Sequence, residues 1–353
     1  MTALHKLSLE NFTVFQSLDV DFSPHINVIL GANASGKTHL LKLLYATTRA
    51  FTTASPLDRS KSAFATHLTK RLIRNFQVDR AGRLASRVKG HKHSSVLLET
   101  AKNTVSFDFS TRHTEVKVEK YAPNYEGEDW PEAVYIPTKE ILSMFTGLVP
   151  AIEAGYIDVE ELYHDLGSKL GRNVPSGGPS KWRTDITKHL ENVLDAKVIF
   201  DEKTSRFYIK QRGLGNIEAG LAAEGHRKIG MLLQLVANGT LGENSVLFWD
   251  EPESNMNPEH ARHVVELLSH LSNSGIQVFV TTHDYFILKQ ITLKTKKHNL
   301  KAKYVSLSKK QKNRFATYQT AENIYDLEPN PIIDEFDRLY QDQRQLFYGG
   351  SRD

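Results

Sequence analysis

The stretch "INVILGANASGKTHLLKLL", residues 26–44, decides the fold. Its first five residues are a short apolar run that ends in glycine, and from Thr38 onward apolar side chains recur at helical spacing. The reading is strand, glycine-rich turn, helix. Within it, "GANASGKT" (31–38) fits G-x-x-x-x-G-K-[ST], and the pattern falls between a predicted strand and a predicted helix, as phosphate binding requires. Gly31 and Gly36 let the backbone curl so that successive N–H groups face a phosphate, to which the helix dipole adds partial positive charge. The candidate binding set is Gly31, Asn33, Ala34, Ser35, Gly36, Lys37, Thr38 and His39. Lys37 is expected on the outer phosphates and the Thr38 hydroxyl on a magnesium ion.

A second block of the same kind lies far downstream. "SVLFWD" (245–250) reads as a buried strand, "PEHARHVVELLSHLSNSG" (258–275) as a helix with proline at its start and glycine past its end, and "IQVFVTTH" (276–283) as the next strand. Strands that alternate with helices imply a parallel sheet covered on both faces, an α/β class. Asp250 and Glu251 sit side by side at the end of the first of these strands, where desolvation and mutual repulsion oppose their ionisation. A cation relieves that cost. Asp250 is therefore expected to share the magnesium with Thr38, and Glu251 to orient or deprotonate the attacking water. His283, at the end of the following strand, is expected to contact the outermost phosphate.

Upstream, "LHKLSLENFTVFQSLDVDF" (4–22) alternates apolar and polar residues around a turn and reads as two antiparallel strands. The division expected is an N-terminal β lobe with the phosphate loop (1–50), a mixed helical and β insertion (51–214), the second half of the core (215–330) and a C-terminal helix or tail (331–353). In the insertion, "TVSFDFS" (104–110), "TEVKVEK" (114–120) and "AVYIP" (133–137) read as antiparallel strands, with helical patterns from 140 to 194 and a hairpin over "AKVIFDEKTSRFYIKQ" (196–211). The insertion is expected to be a lid or arm on the core, because no Pro- or Ser-rich linker separates it.

The 353 residues carry a net charge of +4 and no cysteine, which excludes disulfides and thiolate metal sites. No apolar run approaches a membrane span and the start lacks a signal-peptide core, so a soluble cytoplasmic protein is the expectation. Basic residues concentrate in 59–93 and 294–314, where counterion release would make either a nucleic-acid contact. Sparse aromatic interleaving argues against single-strand stacking. In 330–350, Ile333, Phe336, Leu339 and Tyr340 fall at helical spacing, on a helix that either docks on its own core or holds a partner.

Three segments, "LSLENFTVFQSLDVDFSPHINVILGANASGKTHLLKLL", "SVLFWDEPESNMNPEHARHVVELL" and "VFVTTHDYFIL", together resemble ABC-type ATPases of the SMC, RecF and overcoming-lysogenisation-defect kind. The resemblance implies an ATP- and Mg²⁺-dependent head whose site is composite, with a signature segment of one copy capping nucleotide held by another. "LAAEGHRKIGMLLQL" (221–235) occupies the signature place, and the resemblance puts Gly225 and Asn257 on the nucleotide. Ala223 and Glu224 stand where the family has a serine motif, and Gln77 is a candidate for its Q-loop glutamine. The resemblance further implies an ATP-dependent dimer or oligomer and a separately encoded effector, as in bacterial anti-phage defence. The alternatives are an ATPase acting directly on DNA ends and an ATP-binding scaffold without turnover.

Overall fold

The computed structural model describes residues 4–53, 60–86, 92–122, 131–175, 178–211, 213, 215–309, 314–328 and 330–348. The chain runs β1 (Leu4–Phe12), β2 (Phe15–Asp21), β3 (Ile26–Gly31), α1 (Lys37–Thr53), α2 (Lys61–Phe76), β4 (His93–Thr100), β5 (Thr104–Ser110), β6 (Lys117–Ala122) and β7 (Ala133–Ile136). Helices α3 (Phe145–Glu153), α4 (Glu161–Leu170) and α5 (Lys181–Leu194) follow, then β8 (Ala196–Asp201), β9 (Arg206–Gln211) and β10 (Gly215–Glu218). The second half of the core is α6 (Glu224–Ala237), β11 (Val246–Asp250), α7 (Pro258–Asn273), β12 (Gln277–Thr282), α8 (Tyr285–Lys297), β13 (Ala302–Ser308), β14 (Thr317–Ala321) and α9 (Pro331–Tyr348).

The central sheet has the order β14-β13-β3-β12-β11-β7, parallel throughout except for β14 at one edge. Strands β3, β7, β11 and β12 are buried at every position, which is the pattern of a parallel sheet covered on both faces. Alternate residues divide between two cores. Leu247, Trp249, Val278 and Val280 face the cluster beneath α6, α7 and α8, whereas Val246, Phe248 and Phe279 face the cluster shared with α1 and the antiparallel lobe. Because the strands are parallel and in register, Leu307 pairs with Gly31, Leu30 with Thr282, Thr281 with Asp250 and Ile136 with Trp249. The C-terminal ends of β3, β11 and β12 therefore collect the phosphate loop, the acidic pair and His283.

Two expectations about the insertion are corrected. "AVYIP" is a parallel edge strand of the core, β7, paired with β11, and not part of an antiparallel set. Its four residues are all buried, so the apparent alternation carries no solvent face. Strands β4, β5 and β6 do not form a separate arm but extend the sheet of β1 and β2 in the order β2-β1-β4-β5-β6, whereas the hairpin β8–β9 joins β10 in a three-stranded sheet of its own. The lobe is thus assembled from 4–21 and 93–122, because β1 presents an edge that β4 satisfies by antiparallel pairing. Strands β4 and β13 lie within or against the basic segments, where lysine and histidine hide their alternation. Some of that positive charge is paired within the chain: Arg71 with Asp165 and Glu161, Arg83 with Asp79 at the surface, and Lys294 with Glu266. Residues 59, 87–91 and 310–313 of those segments lie outside the described residues.

The predicted C-terminal helix is α9. Only its first turns dock, through buried Ile332 and through Phe336 stacked on Tyr285 at 4.0 Å; Leu339, Tyr340, Leu346 and Phe347 are exposed. Among the described residues no helix is long and apolar enough to cross a membrane.

Candidate nucleotide site

The phosphate loop is held by packing from two sides. A side chain at Gly36, where φ is +104°, would come within 2.6 Å of Val14 and 2.7 Å of Phe15 from the β1–β2 turn, so only glycine fits the backbone there. At Gly31 a side chain would strike the carbonyl of Leu307 on β13. Ala34 takes φ 62°, and Ala32, Asn33 and Ala34 form an exposed crest. Buried Lys37 folds back over this loop, and its Nζ donates to the carbonyls of Gly31 at 2.9 Å and Ala32 at 3.3 Å. A phosphate entering the loop would offer the ammonium stronger, charged acceptors. His39 faces the ring of Phe76, and burial, then Lys42 and Lys309, push its imidazole below the ordinary value.

The two carboxylates of the acidic pair meet different partners. Thr38 Oγ1 donates to Asp250 Oδ2 at 2.9 Å, so the two expected magnesium ligands, 212 residues apart, already touch. Tyr135 and Thr281 also donate to the Asp250 carboxylate and hold it in place. Among the described residues no three His, Cys, Asp or Glu side chains could hold a metal by themselves. A hydroxyl and one carboxylate do fit magnesium, which takes few protein oxygens and fills its octahedron with water and phosphate. Glu251 has φ 45° and its amide donates to Thr281 Oγ1 at 2.9 Å, so the backbone bends and turns this second carboxylate away from Asp250. The Glu251 carboxylate lies 3.0 Å from His283 Nδ1 and 3.4 Å from Lys37 Nζ.

The remaining candidates are placed differently. Gly225 is buried in the first turn of α6, and a side chain there would come within 2.7 Å of the His260 ring; close helix packing already demands the glycine. Asn257 caps α7: its Oδ1 accepts from the His260 amide at 2.8 Å. Gln77 is the left-handed C-cap of α2, with its amide donated to the Asp158 carbonyl at 3.4 Å. Because β7 is the strand beside β11, the loop after Ile136 borders Asp250 in its stead.

Sequence reading missed Tyr135, Thr281, Lys228 and Glu253. The acid in "DEPES" was visible, but its task was not. Glu253 accepts from Thr282 Oγ1 at 2.6 Å, and burial raises its carboxyl above the usual range.

These features give the chain the fold of an SMC head, a parallel core sheet with an antiparallel lobe around a phosphate loop. Two family models match: "AAA domain" over residues 6–132 and "AAA domain, putative AbiEii toxin, Type IV TA system" over residues 182–289. The chain is similar to the DNA replication and repair protein RecF of Lactobacillus acidophilus, 46% identical over 57 residues, which is 16% of this chain and 15% of that protein. RecF of Ligilactobacillus salivarius is 39% identical over 61 residues, 17% of this chain and 16% of that protein. The chain thus matches less than a fifth of these relatives' length. The fold is similar to that of an SMC head bound to the C-winged helix domain of ScpA, with TM-score 0.57 and 12% identity over 90% of this chain and 97% of that one. An SMC head domain from Pyrococcus furiosus, bound to the C-terminal domain of ScpA, aligns with TM-score 0.50 and 10% identity over 98% of this chain and all of that one.

Proposed function

We propose that the chain binds magnesium ATP in the Gly31–Thr38 loop, hydrolyses it with Glu251, and dimerises around the nucleotide. The observation that carries this reading is the convergence of Lys37, Thr38, Asp250, Glu251 and His283 at the C-terminal ends of β3, β11 and β12, with the two carboxylates directed to different partners. When bound, magnesium neutralises phosphate charge and leaves Thr38 and Asp250 as its two protein ligands. The Glu251 carboxylate takes a proton from the attacking water. His283 holds that carboxylate from the other side, and Lys37 leaves the loop carbonyls to bind the outer phosphates.

For assembly, the reading rests on the start of α6, where Ala223 precedes the helix and makes no side-chain cap bond, the kind of helix end that favours an anion. Gly225 and Asn257 serve this surface through packing and capping. In this reading ATP-driven closure controls a separately encoded effector, in anti-phage defence, and the exposed end of α9 is its docking element. The exposed Leu339, Tyr340, Leu346 and Phe347 at that end of the helix support the docking role. Direct action on DNA is the second reading, favoured by the RecF likeness.

Glu251→Gln tests the chemistry. It should leave ATP affinity near wild type and lower single-turnover hydrolysis by roughly 10²–10³-fold. Wild-type turnover in that variant would remove Glu251 as the base. Light scattering with ATP tests assembly: a wild-type chain that stays monomeric at every concentration while it hydrolyses ATP would sink the composite site.

A further inference from the structure

The turn that follows Glu251 is fastened by a side chain from α6, the neighbouring helix. Lys228, on α6, is completely buried, and its Nζ donates to the carbonyl of Ser254 at 2.5 Å and that of Pro252 at 3.5 Å. The Glu224 carboxylate, one helical turn earlier, lies 3.7 Å away, so three acceptors surround an ammonium that has three protons. Burial depresses the lysine below its ordinary value, against the pull of Glu224, Glu253 and Glu140. The turn is itself joined to the catalytic pair: Ser254 N donates to the Glu251 carbonyl at 3.1 Å, and Glu253 grips Thr282 and the amide of His283.

We propose that Lys228 is a positioning residue that couples the start of α6 to Glu251 and His283. The inference rests on the hydrolytic reading above and extends it. Residues 224–226 are the part of α6 that would meet a second copy's nucleotide, and they lie within one turn of Lys228. A shift of α6 drags the Lys228 ammonium, which moves the carbonyls of Pro252 and Ser254 and with them the backbone that aims Glu251. The adjacent Arg227 is directed elsewhere, to Glu140 in the loop after β7 at 2.7 Å, which makes it the natural comparison.

The test replaces Lys228 by Met, which keeps the apolar stem and removes the donors. ATP affinity, read by titration of a fluorescent analogue, should stay near wild type, because the phosphate loop is untouched. Single-turnover hydrolysis should fall about 100-fold, the loss expected when a reacting group is displaced by about 1 Å. In a Glu251→Gln background the same change should produce no further loss of rate, as it must if Lys228 acts through Glu251. Because the chain lacks cysteine, Lys228→Cys alkylated with 2-bromoethylamine in denaturant and refolded restores the ammonium, and it should recover turnover.

A second readout does not depend on hydrolysis. Amide exchange over 251–257 and over the first turn of α6 should slow together when wild type binds ATP, and separately in Lys228→Met. Equal losses of affinity and rate, additive loss in the double variant, or exchange that stays coupled without Lys228 would each overturn the proposal. Wild type that binds ATP without turnover would overturn the hydrolytic reading alone, and the exchange measurement would then decide the coupling. If Lys228→Met does not fold, Lys228→Gln, whose amide can still donate to one carbonyl, carries the same comparison.

Discussion

Two clusters of charge lie on α1, one at its first turn and one along its middle turns, and they behave differently. At its N-terminus, Lys37 shares itself between two loop carbonyls and Glu251, and Glu251 is divided between Lys37 and His283. Along its length, Lys42 pairs with Glu160, Tyr45 donates to Asp165, and Arg49 reaches Asp165 and Glu132, a seam that binds α1 to α4 and to the segment before β7. Arg71 from α2 closes on the same Asp165, and Lys169 pairs with Glu132. In the seam each charge is answered by protein. At the loop the partners are ones that a phosphate can replace. Burial of charge alone therefore does not mark a binding site here; what marks it is that its partners can be exchanged for a ligand's.

The comparison breaks most sharply at Lys37. Lys37→Ala should abolish measurable ATP binding in a titration at micromolar protein while leaving the denaturation midpoint close to wild type, because its present acceptors are carbonyls that water can reach once the side chain is gone. A large loss of stability in that variant would place Lys37 with the seam.

Asp165→Asn should do the reverse. Burial alone would raise the Asp165 carboxyl, yet the Arg71 guanidinium holds it below the usual range, so the ionised form is the one the fold uses. Neutralising it leaves buried guanidinium groups uncompensated, with an expected cost of about 3 kcal/mol in urea unfolding and little change in ATP affinity. A stability within experimental error of wild type would show that the seam is solvated.

The smallest effect belongs to Lys169, where burial lowers the ammonium to about 8. Between about pH 8 and 10.5 the unfolded chain binds more protons than the folded one, so the cost of the buried charge, present below pH 8, is relieved as pH rises. Wild type should gain stability over that window relative to Lys169→Met, by at most about 3 kcal/mol. Parallel stability curves for the two chains would remove the depressed lysine.

Much of the phosphate site was legible because its chemistry is local. Gly31 to Thr38 are contiguous, and Asp250 with Glu251 close an apolar run that can only be a buried strand. Lobe and seam were not legible for the opposite reason. Strand β4 pairs with β1 from about 90 residues away, and its histidine, two serines and threonine blur the alternation that marks a strand. Likewise, Lys42 and Glu160 are 118 residues apart, and nothing in either neighbourhood names the other.

The sequence by itself determined the order of strand, phosphate loop and helix, and the identities of Lys37, Thr38, Asp250 and Glu251, because backbone curvature, strand burial and phosphate charge each demand particular residue types at fixed short spacings. Only the tertiary structure decided that β7 is a parallel neighbour of β11, that Gly225 is a packing glycine under His260, that Asn257 is a cap, and that Lys228 reaches the turn beyond Glu251. Each of those facts depends on which element lies against which, and that is set by pairing and packing summed over the whole chain and written in no single window of it.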